Sequence, residues 1–197
     1  MKHFEFTDET INIEGHILHR ICATRGIHTQ GVIKGDLGGF VESYDNLNDY
    51  AWVGNNAKVF GNTRVYENAR VYENAEVYGN AEVSDDAQVF GSAIVHGYAQ
   101  VFGDAQVFEN AILHGDAYIR GDAVVKAVED YIVFKNFWSS GRYFTWTRSN
   151  NMWRVGFFYG TGEELIRMAY KDSEESGRHY ENIVNYVNKC VVEAKQK

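Results

Sequence analysis

Two histidines, His96 and His114, stand 18 residues apart at equivalent positions of a regular repeat. An imidazole works as a general base when an acceptor orients its ring and a substrate cleft lies beside it. Asp104 and Asp116 are close in sequence, but Asp recurs in so many repeats that these two carry no special weight. A zinc site of the three-histidine type needs a third imidazole, and the spacing offers none. The pair is a candidate for base catalysis or ligand binding, with no bound metal expected.

A second candidate site is a basic and aromatic stretch, residues 131–162, which contains no Asp or Glu although the chain carries a net charge of -8. Its candidate ligand-binding residues are Arg142, Arg148, Arg154, Trp138, Trp146 and Trp153. Guanidinium groups pair with phosphates, and aromatic rings stack on bases. The stretch therefore predicts a site for a small anionic ligand such as a cyclic nucleotide. The alternative is that the rings pack a small domain while the cations face solvent.

Both candidates are positioned by a run of six-residue repeats from about Asp49 to Ala127. A branched aliphatic residue occupies every sixth position, and a small residue precedes it by two positions, Ala in every repeat except at Thr63. Asn or Asp usually precedes that small residue. The aliphatic positions are Val53, Val59, Val65, Val71, Val77, Val83, Val89, Val95, Val101, Val107, Leu113, Ile119 and Val125.

Residues two apart on an extended strand point the same way, so the small and aliphatic residues of each repeat point inward together. The two residues that flank the aliphatic one point outward, and Gly, Asn and Asp suit the positive φ of a corner. Strands this short bury their apolar side only against the coils above and below. Three strands per turn give an 18-residue coil. The repeat therefore predicts an all-β solenoid, a parallel β-helix of about four to five coils shaped as a triangular prism.

The 18-residue period also predicts which outward side chains stack on one another. The Phe90 column consists of Tyr72, Phe90 and Phe108. The His column consists of Phe60, Tyr78, His96 and His114. Contiguous exposed apolar area marks an interface. We therefore expect a homotrimer of parallel prisms, unless the rings only cover their own sheet, with interface residues Tyr72, Phe90, Phe108, Ile94 and Ile112.

The segments on either side of the repeats divide the chain into three parts. Residues 1–48 show short β patterns and a glycine-rich turn at 35–40, and we expect them to form a β N-terminal cap over the open end of the β-helix, residues 49–127. Residues 128–197 predict a small α+β C-terminal module. Its expected elements are strands at 131–134, 143–148 and 152–159, a helix capped by Thr161, and a second helix from about Arg178.

Composition argues against several classes of partner. The acidic balance disfavours a nucleic acid polymer, which needs clustered positive charge. The two cysteines, Cys22 and Cys190, lie far apart and suggest no disulfide framework, which favours a cytoplasmic protein. No run of about 18 apolar residues is present, so no membrane association is expected. The glycines near residue 38 do not match a phosphate-binding loop, and no cofactor is expected.

Several stretches carry a family resemblance: 4–7, 18–21, the Gly-Asp-Leu-Gly-Gly-Phe motif within 34–42, the Asn-Ala-x-Val-Tyr-Gly type repeats, and the closing stretch 144–165. They resemble a family of phage and prophage hexapeptide-repeat proteins related to the YdcK-like bacterial proteins. The likeness covers nearly the whole chain, and the glycine motif is its most specific part. The resemblance implies a left-handed parallel β-helix, usually trimeric, with no established enzymatic activity, in the cytoplasm of a bacterial host.

These observations together predict a non-enzymatic, trimeric β-helix protein of phage type that binds a small anionic ligand. Its most concrete form is sequestration of a nucleotide immune signal to counter host anti-phage defence, by analogy with other small oligomeric phage proteins rather than from a motif. One alternative is an acyltransferase that uses His96 or His114 as base at the trimer interface, as many hexapeptide β-helix proteins do. The other is a structural or protein-interaction module without a small ligand.

Overall fold

The repeats wind into a β-solenoid of about five turns, which confirms the fold predicted from the hexapeptide pattern. This computed structural model describes residues 2–138 and 140–194. The N-terminal strands are β1 (Phe4–Ile13), β2 (His16–Ala23) and β3 (Leu37–Val41). The solenoid strands are β4 (Trp52–Val53), β5 (Lys58–Val59), β6 (Arg64–Val65), β7 (Arg70–Val71), β8 (Glu76–Val77), β9 (Glu82–Val83), β10 (Gln88–Val89), β11 (Ile94–Val95), β12 (Gln100–Val101), β13 (Gln106–Val107), β14 (Ile112–Leu113), β15 (Tyr118–Ile119) and β16 (Val124–Val125).

Parallel pairing joins residues 18 apart, as three strands per coil require. Val71, for example, pairs with Val53 on one side and with Val89 on the other. The strands form three parallel ladders, β3-β5-β8-β11-β14, β4-β7-β10-β13-β16 and β6-β9-β12-β15. Every inward alanine and aliphatic residue of the repeats is completely buried. The core is thus a continuous stack of small and branched side chains along the prism axis.

The corners of the prism place every sixth residue at positive φ. One edge is glycine throughout, at Gly61, Gly79, Gly97 and Gly115, and a Cβ on Gly79 would lie 3.0 Å from the backbone N of Gly97 in the next coil. The other edges use acidic and amide side chains as well, which accept hydrogen bonds from the next coil. The Asp85 N–H donates to Glu67 Oε2 at 2.8 Å, for instance, and the Gly103 N–H donates to Asp85 Oδ2 at 2.8 Å.

The N-terminal segment continues one ladder of the prism. Strands β1 and β2 form an antiparallel hairpin, β2 pairs with β3, and β3 pairs in parallel with β5 through Phe40 opposite Lys58. The predicted glycine-rich turn is wrong in extent, since Gly38 and Gly39 lie inside β3. A Cβ on Gly38 would lie 2.5 Å from the Val53 carbonyl oxygen, and one on Gly39 would lie 2.5 Å from that of Ala57. The motif therefore serves close backbone packing rather than a turn.

The C-terminal module is α+β, as predicted, with an antiparallel sheet covered by two helices. Its elements are β17 (Tyr131–Lys135), β18 (Tyr143–Thr147), β19 (Met152–Val155), β20 (Phe158–Gly160), α1 (Gly162–Asp172) and α2 (Glu174–Ala194). Thr161 caps α1 as expected, and its hydroxyl accepts from the Glu164 N–H at 3.3 Å. The predicted third strand is divided by a turn at Gly156, and α2 begins four residues before Arg178. Across residues 2–138 and 140–194, no helix is long and apolar enough to cross a membrane.

The module sits on the last coil, whose backbone groups have no further coil to pair with. Within the prism, the Gln100 N–H donates to the Ala117 carbonyl of the next coil at 2.8 Å. On the last coil, side chains of the module replace that partner. The donors and acceptors are Tyr118 N–H to Thr145 Oγ1 (3.1 Å), Val124 N–H to Ser149 Oγ (2.7 Å), Tyr131 OH to the Ile112 carbonyl (2.8 Å) and Tyr159 OH to the Arg120 carbonyl (3.0 Å).

Candidate functional site

A cleft of about 320 Å³ opens where the C-terminal module meets the last coils of the prism. One wall is the outer face of β12 and β15, and the other is formed by β18, β19 and the turn after β19. We call it the arginine cleft. Its lining residues are Tyr98, Gln100, Asp116, Tyr118, Arg142, Tyr143, Thr145, Arg154 and Gly156. Two of the three predicted ligand-binding arginines therefore meet in one cleft.

Arg154 is held in the cleft by the prism itself. Its guanidinium carbon lies 4.3 Å from the centroid of the Tyr118 ring, an arrangement in which the cation is attracted by the π-face. Strand pairing sets Arg154 opposite Thr145, whose hydroxyl accepts the Tyr118 N–H. The Arg154 Nε atom is buried, and no side chain or carbonyl in the described part of the chain accepts its hydrogen. The guanidinium is therefore held in place by Tyr118, and its Nε has no acceptor in the described part of the chain.

Arg142 reaches the same cleft from the residue before β18. Gly156 turns at φ 57°, and a Cβ there would lie 3.1 Å from Arg142 Cδ, so glycine leaves room for the arginine stem. Among residues 2–138 and 140–194, neither Arg142 nor Arg154 forms an ion pair with a carboxylate. In a chain of net charge -8, two unpaired guanidinium groups in one cleft form a local positive site.

The cleft also contains one carboxylate and exposed aromatic rings. Asp116 lies against the Tyr143 hydroxyl and raises the pKa of that phenol through a side-chain hydrogen bond and charge repulsion. Tyr98 stands one coil away from Asp116 on the same corner of the prism, and 62% of its surface is exposed. Most repeats carry Asn or Asp at the position of Tyr98. Tyr50 shares this departure but lies outside the cleft, so the departure alone does not mark the site.

The tryptophans of the basic and aromatic stretch lie elsewhere. Trp146 and Trp153 are 2% and 1% exposed and form the core of the module, opposite each other on β18 and β19. Their faces are covered by protein, so stacking on a base does not fit this structure. Trp138 is half-buried and stacks on His179 with a centroid distance of 4.8 Å. These three rings therefore pack within the C-terminal module, which was the alternative to ligand binding for this stretch.

The third predicted arginine, Arg148, lies in the turn between β18 and β19. Its side chain is exposed and does not line the arginine cleft. Its backbone N–H donates to the Asp130 carbonyl at 2.8 Å, which ties the turn to the end of the last coil. Arg148 is therefore separated from Arg142 by the length of β18, and it lies outside the cleft that Arg154 lines.

The His column stacks as the 18-residue period predicts. Tyr78 lies 5.1 Å from His96, and His96 lies 6.0 Å from His114, measured between ring centroids. Burial, and then the neighbouring His114, hold the pKa of His96 below its ordinary value. Within the described residues, neither imidazole makes a hydrogen bond that would orient it as a base. The column thus consists of stacked rings that run from the buried Phe60 to the exposed His114.

A histidine and a carboxylate that the sequence analysis missed do form a hydrogen-bonded pair. His16, at the tip of the β1–β2 hairpin, lies 2.7 Å from Glu42, measured from Nδ1 to Oε1. The other Glu42 oxygen accepts the Gly61 N–H at 2.6 Å. The pair joins the hairpin to the prism beside clefts of about 520 and 420 Å³. The two residues lie 26 positions apart and outside the repeats, so no spacing rule connects them.

The outward rings of the Phe90 column stack closely on one face of the prism. Tyr72 and Phe90 lie 4.8 Å apart, and Phe90 and Phe108 lie 4.6 Å apart, with nearly parallel planes. On the adjacent face, Ile94 pairs with Ile112, which is 37% exposed. The β1–β2 hairpin covers that second face only at its N-terminal coils, where Ile13 packs against the cluster that contains Phe60. Two neighbouring faces thus present apolar side chains to solvent.

No protein-family model matches the chain, and no curated protein matches it. Among the residues that the structure describes, no group of three or more His, Cys, Asp or Glu side chains is arranged to hold a metal ion. The chemistry available in the arginine cleft consists of two guanidinium groups, one carboxylate and tyrosine rings. Guanidinium groups pair with anionic oxygens through charge and hydrogen bonds, so these groups are suited to an anionic ligand.

Proposed function

We propose that the protein is a non-enzymatic homotrimer of phage type that binds a small anionic ligand in the arginine cleft. The observation that carries the proposal is the pair Arg142 and Arg154, which share the cleft without a carboxylate partner in the described chain. Guanidinium groups donate several fixed N–H groups and match phosphate oxygens geometrically. An anion that accepts from both would neutralise the local positive charge.

The environment of Arg154 supports an anionic oxygen as its partner. Its guanidinium has no ion-pair partner in the described part of the chain. An anionic oxygen supplies such a partner, whereas a neutral apolar ligand does not. The stack on Tyr118 holds the guanidinium before the ligand arrives, so little side-chain entropy is lost on binding.

The trimer proposal rests on the two adjacent apolar faces. A heterologous interface, in which one face of a protomer meets a different face of the next, closes into a ring when the rotation fits. In a triangular prism the Phe90 column and the Ile94–Ile112 face lie on neighbouring sides, which suits closure around a threefold axis. The third side, which carries Gln100 and Tyr118, then faces outward. This arrangement leaves the arginine cleft open to ligand.

We further propose that the ligand is a nucleotide signal of host defence and that the protein sequesters it in the bacterial cytoplasm. This part depends on the resemblance to phage hexapeptide-repeat proteins and on the phosphate-binding chemistry of the cleft. Titration calorimetry with cyclic di- and trinucleotides and ADP-ribose derivatives tests it. We expect at least one member to bind with micromolar or tighter affinity and to be recovered unchanged. Absence of binding by every member of the panel overturns the proposal.

A further inference from the structure

Taking the proposed anion site as its starting point, we infer that the arginine cleft selects a nucleoside monophosphate whose ribose hydroxyls donate to Asp116. Arg142 and Arg154 then hold the phosphate. The inference concerns the class of ligand, and its basis is the combination of opposite charges in a single small cleft. A site built only for a simple anion has no use for a carboxylate, which repels it.

Asp116 has acceptor capacity that the protein leaves open. An ionised carboxylate has about four lone-pair sites, and the Tyr143 hydroxyl occupies one of them. In the described part of the chain, Asp116 forms no ion pair with Lys, Arg or His. A ligand must therefore bring donors to Asp116 and acceptors to the arginines. In nucleotide sites, carboxylates accept hydrogen bonds from ribose hydroxyls. The phosphate oxygens of the same ligand accept hydrogen bonds from arginine.

Two tyrosines provide the surface for a base. Tyr98 is 62% exposed and Tyr143 is 37% exposed, and both line the cleft beside Asp116. Aromatic stacking is worth roughly 1–3 kcal/mol per base and tolerates any base, since every base has a π-face. Most repeats carry Asn or Asp at the position of Tyr98. Tyr98 therefore places a large exposed ring where the other repeats usually have a small polar side chain.

The size of the cleft suits one nucleotide unit. Its volume of about 320 Å³ lies at the lower end of small-molecule pockets, which span roughly 300–1,000 Å³. One phosphate between the two arginines, one ribose at Asp116 and one base on Tyr98 or Tyr143 together use the charged groups and an exposed ring of the cleft. A larger signal would place one of its nucleotide units here and the rest outside.

Titration calorimetry with three probes tests the inference: AMP, 2′,3′-dideoxy-AMP and inorganic phosphate. The wild-type protein is expected to bind AMP about 10-fold more tightly than the dideoxy compound, since a hydrogen bond to a charged group contributes roughly 1.5–3 kcal/mol. In Asp116→Asn the ratio is expected to fall to about 2-fold or less. Asn occupies this position in many repeats, so the variant should fold. The matched control is Asp104→Asn, a corner aspartate outside the cleft, in which the ratio should remain at the wild-type value.

The outcomes separate this inference from the proposed function. Equal affinity for AMP and dideoxy-AMP, or a preference that persists in Asp116→Asn, overturns the ribose contact while leaving the anion site intact. Binding of phosphate without binding of AMP overturns the nucleotide class alone. If AMP, phosphate and the wider nucleotide panel all fail to bind, the proposed function is wrong as well. Loss of the preference in Asp104→Asn as well as in Asp116→Asn contradicts the assignment to Asp116.

Discussion

At the scale of single residues, the clearest charge effect lies at Glu42. Burial alone would raise the pKa of this carboxyl, but the Gly61 N–H and the His16 imidazole stabilise its ionised form, so the pKa lies below its ordinary value of 4.5. A carboxyl whose pKa is lowered by folding stabilises the folded protein above the unfolded pKa. That contribution is lost as the pH falls through the folded pKa. The hairpin tip is therefore held to the prism by a pH-dependent contact.

The Glu42→Gln variant tests this contact. We expect it to be less stable than the wild type by about 1 kcal/mol at pH 7, where the carboxylate is ionised, and by less at about pH 3. Urea unfolding at both pH values measures the free energies. Glu5→Gln, at an exposed carboxyl, serves as the control and should change neither. A destabilisation of Glu42→Gln that does not depend on pH would contradict the account.

The tryptophans show what residue patterns can and cannot predict. Strand periodicity places Trp146 on the face of Phe144, and Trp153 on the face of Val155, so a period-two pattern would have assigned both rings to the core. The same periodicity puts Arg154 on the opposite face. Composition alone treats all aromatic and basic residues of the stretch as one site. It therefore included buried rings and missed Tyr98, which lies in a different segment of the chain.

At the scale of elements, the ends of the prism determine what the flanking segments must do. The first coil uses side chains from the N-terminus, with His3 Nε2 2.9 Å from the Ala51 carbonyl oxygen and Lys2 Nζ 2.8 Å from that of Tyr44. The last coil uses hydroxyls of the module, as with Thr145 and Ser149. Unpaired buried backbone groups are costly, so these caps are part of the fold. The hydroxyls that cap the last coil also hold the module against the prism, and the arginine cleft lies between the two.

Thr145→Val removes one of these caps without changing the shape of the side chain. The Tyr118 N–H loses its acceptor in a partly buried environment, and we expect a loss of about 1 kcal/mol in the free energy of unfolding. Hydrogen exchange should show faster exchange at the Tyr118 amide. Thr10→Val, on an exposed part of β1, is the matched control and should have little effect. Unchanged stability and exchange in Thr145→Val would show that the hydroxyl does not cap the coil.

The repeats made the solenoid elements predictable because each hexapeptide carries its own inward pair and corner residue. The caps were less predictable, since their hydrogen bonds join residues with no regular spacing, such as Thr145 and Tyr118. The role of Gly38 and Gly39 also depends on distant backbone atoms. Local patterns do not contain such contacts, although they do predict that some cap must exist at each end.

At the scale of the whole molecule, a charged substitution in the Phe90 column tests the proposed trimer. Sedimentation equilibrium of the wild type should give a mass three times the 22.5 kDa of the chain. Phe90→Glu places a charge in the middle of the stack and should give monomers. Phe137→Glu changes a 92% exposed ring in the C-terminal module and should leave the trimer intact. A monomeric wild type, or a trimeric Phe90→Glu variant, would contradict the proposed assembly.

The position of the arginine cleft could not be predicted from the sequence. It forms between segments with unrelated patterns, the solenoid around Tyr118 and the module around Arg154, and no repeat period relates the two. The sequence did predict that Arg142 and Arg154 bind an anion, and the structure brings these two together without their third partner Arg148.

The central claim is that Arg142 and Arg154 together hold a small anion. The most direct test is calorimetric titration of AMP and of the defence nucleotides into the wild type, the Arg142→Gln/Arg154→Gln double variant and Arg148→Gln. We expect the double variant to bind the best ligand at least about 100-fold more weakly, since each charge-assisted contact contributes roughly 1.5–3 kcal/mol. Arg148→Gln, which removes an equal charge outside the cleft, should bind within about 2-fold of the wild type. Equal binding by the double variant and the wild type, or equal weakening in Arg148→Gln, would contradict the account.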